Sequence, residues 1–221
     1  MIIAIDGGAG SGKTTIAKLL SEKINFIHLN SGLIYRAVTY ILLKNNYLNN
    51  TDNFYQDFLK DVNLKIVGKK LDVVMYDSKN ITDNLYNKEI TDNIKYTSNN
   101  FYIRSHVTDI QRLLSVEKNV ICEGRDIGSV VFPNAKFKFF LDCDINQRTE
   151  RRYNQFLKNN IIIDKNNLKK MILERDLNDS NREHSPLKRV SDAILIDTTK
   201  MNIEEVILKM YNNIKGKYVN K

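Results

Sequence analysis

Lys13 and Thr14 close a run of small residues, Gly7-Gly8-Ala9-Gly10-Ser11-Gly12, and the spacing G-x-x-x-x-G-K-T suits one kind of chemistry. A backbone wrapped round a polyphosphate must turn successive N–H groups inward, and side chains at Gly7, Gly8, Gly10 and Gly12 would block that approach. The Lys13 ammonium reaches the outer phosphates, and the Thr14 hydroxyl is a ligand for the magnesium ion that accompanies a nucleoside triphosphate. Residues Gly7, Gly8, Ala9, Gly10, Ser11, Gly12, Lys13, Thr14 and Thr15 are therefore the expected triphosphate site, with Thr14 its metal ligand.

Charged residues elsewhere repeat the theme of anion binding. Arg148, Arg151 and Arg152 fall at i, i+3 and i+4 of a helical stretch, three cations on one face that repel one another unless an anion joins them. Arg175, Asp179 and Arg182 fall at i, i+4 and i+7, so one carboxylate can orient two guanidinium groups. Glu123-Gly124-Arg125-Asp126 follows the apolar run Val120-Ile121-Cys122, and ligands of open α/β sheets gather at the carboxyl ends of strands. Arg36, read as lying near a helix start, opposes the helix dipole there and suits an anion instead. The histidines, His28, His106 and His184, show no ligand or triad spacing.

The elements that must carry these groups alternate in type. Ile2-Ile3-Ala4-Ile5 reads as a strand buried on both faces, and Ile16, Ala17, Leu19 and Leu20 recur at helical spacing after the glycine-rich turn. Phe26 to Leu29 is a short strand before a helix from about Ile34 to Lys44. A short amphipathic segment surrounds Phe54, Phe58 and Leu59. Val62–Val67 and Leu71–Tyr76 flank Gly68-Lys69-Lys70 as a hairpin, interrupting the βα rhythm. Helices follow near Glu89–Thr97 and Ile103–Val116. Val120–Cys122, Lys136–Leu141 and Ala193–Asp197 resume the core strands. Helices are expected around Arg148–Arg152, over Asp164 to Asn181 and over Ile203 to Lys217, with Pro186 barring continuation of the middle one.

Composition narrows the classes. The chain has 221 residues, 42% hydrophobic, with a formal charge of +8. That length suits one domain with insertions. No apolar run is long enough for a membrane span, and the opening strand leaves no room for a signal peptide, so a cytoplasmic protein is expected. Cys122 and Cys143 lie in apolar stretches and read as reduced core thiols. The lysines are scattered through Asn- and Ile-rich segments with no long basic run or aromatic platform. The charge suits nucleic acid or a small anionic substrate and alone does not decide the partner; small-molecule substrates are expected, with no nucleic acid and no membrane.

A triphosphate loop says what is bound, not what is done with it. A GTPase would carry an Asn-Lys-x-Asp segment after a strand, and none is placed so here. A motor ATPase needs an acidic strand end, for which Asp142 is the candidate, and usually a larger core. A nucleic-acid-binding regulator switched by ATP is the rival from another class. The late arginine-bearing helices favour a small-molecule kinase, which must neutralise the acceptor phosphate, the donor tail and the transferring group together.

The motifs I-D-G-G-A-G-S-G-K-T-T, L-N-S-G-L-I-Y-R, E-G-R-D-I-G-S-V-V-F-P-N-A, R-T-E-R-R-Y, E-R-D-L-N-D-S-N-R-E-H-S-P-L and A-I-L-I-D-T-T make the chain resemble the bacterial cytidylate kinases over essentially its whole length. The resemblance implies transfer from ATP to CMP or dCMP, giving ADP and CDP or dCDP, with magnesium; a monomer is expected, although the sequence itself does not give the oligomeric state. It implies an α/β fold: a parallel-sheet P-loop NTPase core with helices on both faces, a small antiparallel insertion in the monophosphate-binding region and a helical lid. Residues 1–221 form one kinase domain on that reading, with the insertion at about 60–100 and the lid at about 148–186. Ser31, Arg36, Arg125 and Arg182 would face the CMP phosphate, and Arg104 and Asp126 the cytosine. Arg175 and Asp179 would lie near the acceptor sugar and phosphates. Lys13, Arg125, Arg148, Arg175 and Arg182 would be the catalytic set. Three positions depart from the family pattern: Glu123 replaces Asp, Gly8 replaces Pro, and Lys95 stands where Ser often holds the base, with Ser98 nearby.

Overall fold

The computed structural model describes residues 1–158 and 161–216. In chain order the elements are β1 (Ile2–Gly7), α1 (Lys13–Ile24), β2 (Ile27–Asn30), α2 (Ser31–Lys44), α3 (Asp52–Asp61), β3 (Leu64–Val67), β4 (Val73–Tyr76) and β5 (Lys79–Asn80). Then come α4 (Lys88–Asn99), α5 (Phe101–Leu114), β6 (Val120–Gly124), β7 (Phe137–Asp142), α6 (Ile145–Lys158), α7 (Lys165–Asn181), β8 (Ile194–Asp197) and α8 (Ile203–Gly216). The expected extension of the last helix to Lys217, and positions 159–160 of the segment 148–186, lie outside the described residues.

Five strands form one parallel sheet in the order β2-β6-β1-β7-β8. β1 is central, paired with β6 on one side and β7 on the other. Its alternate residues feed two cores. Ile3 and Ile5 pack with Leu20 of α1 and Met210 of α8, while Ala4 faces Ile34 and Val38 of α2 and Val107 of α5. Burial on both faces explains why β1 is written as an unbroken apolar run. It also fixes the site, because the carboxyl ends of β1 and β6 lie side by side, Asp6 opposite Gly124.

The insertion is a three-stranded antiparallel sheet, β3-β4-β5, rather than the two-stranded hairpin read from sequence. The third strand is only Lys79–Asn80, too short for alternation to reveal. Leu71 leaves the expected strand, its φ of +53° placing it in the turn that Gly68 begins.

Asparagine sets several boundaries. Asn30 caps α2 by accepting the Leu33 N–H at 3.3 Å, so the helix begins at Ser31, not near Ile34, and Arg36 sits in its second turn. Asn87 and Asn100 cap α4 and α5 in the same way. Each such cap is worth about 1 kcal/mol. α6 and α7 pack on each other round a small cluster of Leu168, Ile172 and Ala9, with Tyr153 and Phe156 at its edge.

Candidate active site

The glycine-rich loop joins β1 to α1. Gly7 has φ +152°, and a Cβ there would lie 2.2 Å from the Leu141 carbonyl oxygen, so only glycine passes between β1 and β7. Gly12, at φ +91°, precedes α1 without a side-chain cap, leaving the first-turn N–H groups of the helix for an anion. Lys13 is buried and folds back on its own loop, its Nζ donating to the Gly8 carbonyl at 2.6 Å and to Ser11 Oγ at 3.3 Å. Burial, and then the Arg125 cation, push its pKa from 10.5 down to about 7. That ammonium is short of negative charge, which a phosphate would supply.

Thr14 Oγ1 donates to Glu123 Oε1 at 2.9 Å, linking the loop to the end of β6. A hydroxyl and a carboxylate are hard oxygen donors of the kind magnesium prefers, and Glu123 is long enough to reach the threonine. Among the described residues no group of three or more His, Cys, Asp or Glu side chains is placed to hold a metal ion. The pair thus fits an ion brought in on phosphate oxygens.

Opposite the loop, a chain of ion pairs runs from β6 to α7. Arg125 donates through Nε to Asp179 Oδ2 at 2.8 Å, and Arg182 Nη1 donates to Asp179 Oδ1 at 3.5 Å. Arg182 Nη2 also lies 3.8 Å from Asp126 Oδ1, and the other Asp126 oxygen accepts from Arg104 Nη2. Arg104, Asp126, Asp179 and Arg182 are all buried. Burial alone would lift the Asp179 pKa, but Arg125, Arg175 and Arg182 together hold it below the usual carboxylate range. Arg104 Nε and Arg182 Nη2 are buried without a hydrogen-bond acceptor among the described residues. Two orphaned guanidinium donors beside one carboxylate call for acceptor atoms from a ligand.

The remaining cations crowd the same cleft. The Arg175 side chain makes no hydrogen bond to the other described residues and is exposed. Surrounding protein, then Arg125, with smaller contributions from Arg36 and Arg152, push its pKa down to about 10. Arg36 donates to the Leu85 carbonyl at 3.0 Å and to Thr91 Oγ1 at 3.1 Å, tying α2 to α4 and to the segment before it. Ser31 Oγ donates to the Glu123 carbonyl at 2.7 Å. A Cβ on Gly124 would come within 2.7 Å of that hydroxyl, so Gly124 lets α2 and β6 close on each other.

Sequence and structure diverge at the arginines of α6. Arg148 donates to Asp176 and to the Ala9 carbonyl, reaching the loop. Arg151 turns away, donating to Thr198 Oγ1 at 3.0 Å and to the Thr198 carbonyl at 2.6 Å, so its charge serves helix docking rather than an anion. Arg152 is half-buried, lies 4.9 Å from the Phe156 ring centre and approaches Arg36 and Arg175 electrostatically. Lys95 is exposed over the Tyr96 ring, whereas the Ser98 carbonyl accepts from Arg104 Nη1 at 2.8 Å. Two carboxylates escaped the sequence reading. Asp176 Oδ1 accepts the Ala9 N–H at 2.7 Å, and Asp6 accepts two N–H groups of the turn after Asp126. Asp6 borders the loop motif and Asp176 adjoins Arg175, yet no spacing announces partners so distant in sequence.

The family model described as cytidylate kinase matches residues 3–216. A cytidylate kinase of Fusobacterium nucleatum is 42% identical over 207 residues, which span 94% of this chain and 94% of that protein. One from Listeria innocua is 38% identical over 218 residues, spanning 99% of this chain and 97% of that protein. Among solved structures, an uncharacterized protein from Eubacterium ventriosum aligns with a TM-score of 0.55 at 15% identity, covering 97% of this chain and 98% of that one, a likeness of fold alone.

Proposed function

The chain belongs to the cytidylate kinase family, and we propose that it transfers the γ-phosphoryl group of ATP to CMP or dCMP by the following division of labour. The loop Gly7–Thr15 holds the donor phosphates, with Lys13 swinging from the Gly8 carbonyl to the β- and γ-oxygens. Thr14 and Glu123 would hold the magnesium ion, which would offset the charge of the donor phosphates when bound. Arg36, Arg125 and Arg182, with Ser31, hold the acceptor phosphate, and Arg104 with Asp126 reads the cytosine. Asp179 keeps Arg125 and Arg182 aimed into the cleft, and Arg175 lies by the acceptor sugar and phosphates.

An acceptor phosphate oxygen attacks the γ-phosphorus while the bond to the β-bridging oxygen breaks, and charge spreads over the three equatorial oxygens. Lys13, Arg125, Arg148, Arg175 and Arg182 stabilise that charge, Arg125, Arg148 and Arg182 from positions that their own contacts already fix. Residues of about 148–186 close over both nucleotides as a lid and keep water from the γ-phosphate. We take the working unit to be a cytoplasmic monomer.

The observation that carries this reading is the buried chain Arg104–Asp126–Arg182–Asp179–Arg125 facing the loop, with guanidinium donors left over for an acceptor. Incubation with ATP, magnesium and CMP should give ADP and CDP in equal amounts. ADP without CDP would mean hydrolysis and would refute the assignment.

A further inference from the structure

We propose that Asp6 is a positioning residue for acceptor recognition, its carboxylate holding in place the turn that presents Arg125 and Asp126. The inference rests on the reading of Asp126 as the group that meets the cytosine. Asp6 is the last side chain before the loop glycines and is 6% exposed. Both its oxygens are committed: Oδ1 accepts the Ile127 N–H at 2.8 Å and Oδ2 accepts the Gly128 N–H at 2.7 Å. Those residues directly follow Asp126 and begin a short π-helical turn, Ile127–Val131. Its far end is fastened separately, with Arg112 donating to the Val130 and Val131 carbonyls.

Asp126 does not cap this turn with its side chain. Its carboxylate is left to Arg104 and Arg182, so its position depends on where the backbone after it is pinned. Gly128 is part of the device. A Cβ there would sit 3.3 Å from Asp6 Oδ2 and 3.2 Å from Lys138 Cδ, pressing the turn away from the carboxylate. The backbone of β1 does not need the side chain, because Asp6 is held by pairing with Gly124 on one side and Phe140 on the other. Loss of the carboxylate should therefore disturb the acceptor turn and leave the donor loop in place.

Steady-state kinetics of Asp6→Asn separate this role from a merely structural one. The amide would turn one donor toward an N–H group and lose that bond. We expect the KM for CMP to rise about tenfold, the preference for CMP over UMP to narrow, and the KM for ATP to stay within about twofold. Equal rises in both KM values, or an unchanged base preference, would overturn the proposal. Gly128→Ala should give the same split, and it keeps the test open if Asp6→Asn does not fold. Asp126→Asn is measured in parallel. Should it leave base preference intact, the cytosine reading itself fails; should it narrow the preference while Asp6→Asn and Gly128→Ala do not, the role of Asp6 alone fails.

Discussion

Lys13 and Asp6 are both buried charges, yet their environments assign them opposite consequences. The Lys13 ammonium is shifted from 10.5 to about 7 by burial and by Arg125, so at neutral pH the fold gains little from its charge. Lys13→Met should therefore fold with an unchanged or raised melting temperature while losing roughly 10²–10³ in turnover. Near-normal turnover would break the account of the loop. Burial lifts the Asp6 pKa from 3.8 to about 6 despite its two N–H donors, with the Asp126 charge adding to the rise. The folded chain then keeps a proton that the unfolded chain has lost, so stability falls as pH rises from about 4 to about 6, by roughly 3 kcal/mol. Urea unfolding should show that slope in the wild type and not in Asp6→Asn; parallel curves would contradict it. The sequence made Lys13 legible because its meaning lies in adjacent glycines. Asp6 and Asp176 were silent because the backbone N–H groups they accept lie 121 to 167 residues away.

Among the elements, α7 is tied to the site by polar contacts, through Asp179 to Arg125 and through Asp176 to the Ala9 N–H. Asp176 and Arg148 clasp the loop at Gly8 and Ala9. A Cβ at Gly8 would meet Arg148 Nη1 at 2.9 Å and the Asp176 oxygens at 3.1 and 3.2 Å. Gly8→Ala should loosen α7 from the loop and speed proteolysis around 155–185 in the absence of nucleotides, whereas a bisubstrate analogue should slow it in the wild type. Unchanged cleavage in both cases would count against a lid. Most helices were legible from apolar spacing to within a few residues. Their caps were not, because asparagine abundance read as compositional bias, whereas Asn30, Asn87 and Asn100 each cap a helix. The same spacing that suggested a phosphate for Arg148, Arg151 and Arg152 gave no sign that Arg151 would turn to Thr198.

Across the whole molecule, β1 joins the two halves of the site. Its backbone runs on into the donor loop, its neighbour β6 ends in Glu123 and Gly124, and its last side chain fastens the turn beyond Asp126. The parallel core was legible because strands buried on both faces are written as apolar runs; the ion-pair chain that lines the cleft was legible only as scattered motifs, since folding alone brings Arg104, Asp126 and Arg182 together. That cluster makes base choice the central claim. Cytosine offers an exocyclic amine to a carboxylate and acceptors to a guanidinium, and uracil reverses the pattern at two positions. Each mismatched buried group costs about 1–3 kcal/mol. The most direct test is the initial rate of ATP consumption with AMP, CMP, dCMP, UMP and GMP, each supplied alone with magnesium. The account predicts fast turnover with CMP and dCMP, turnover with UMP lower by about 10²-fold or more, and background rates with the purines. A rate with CMP no higher than with AMP or GMP would contradict it.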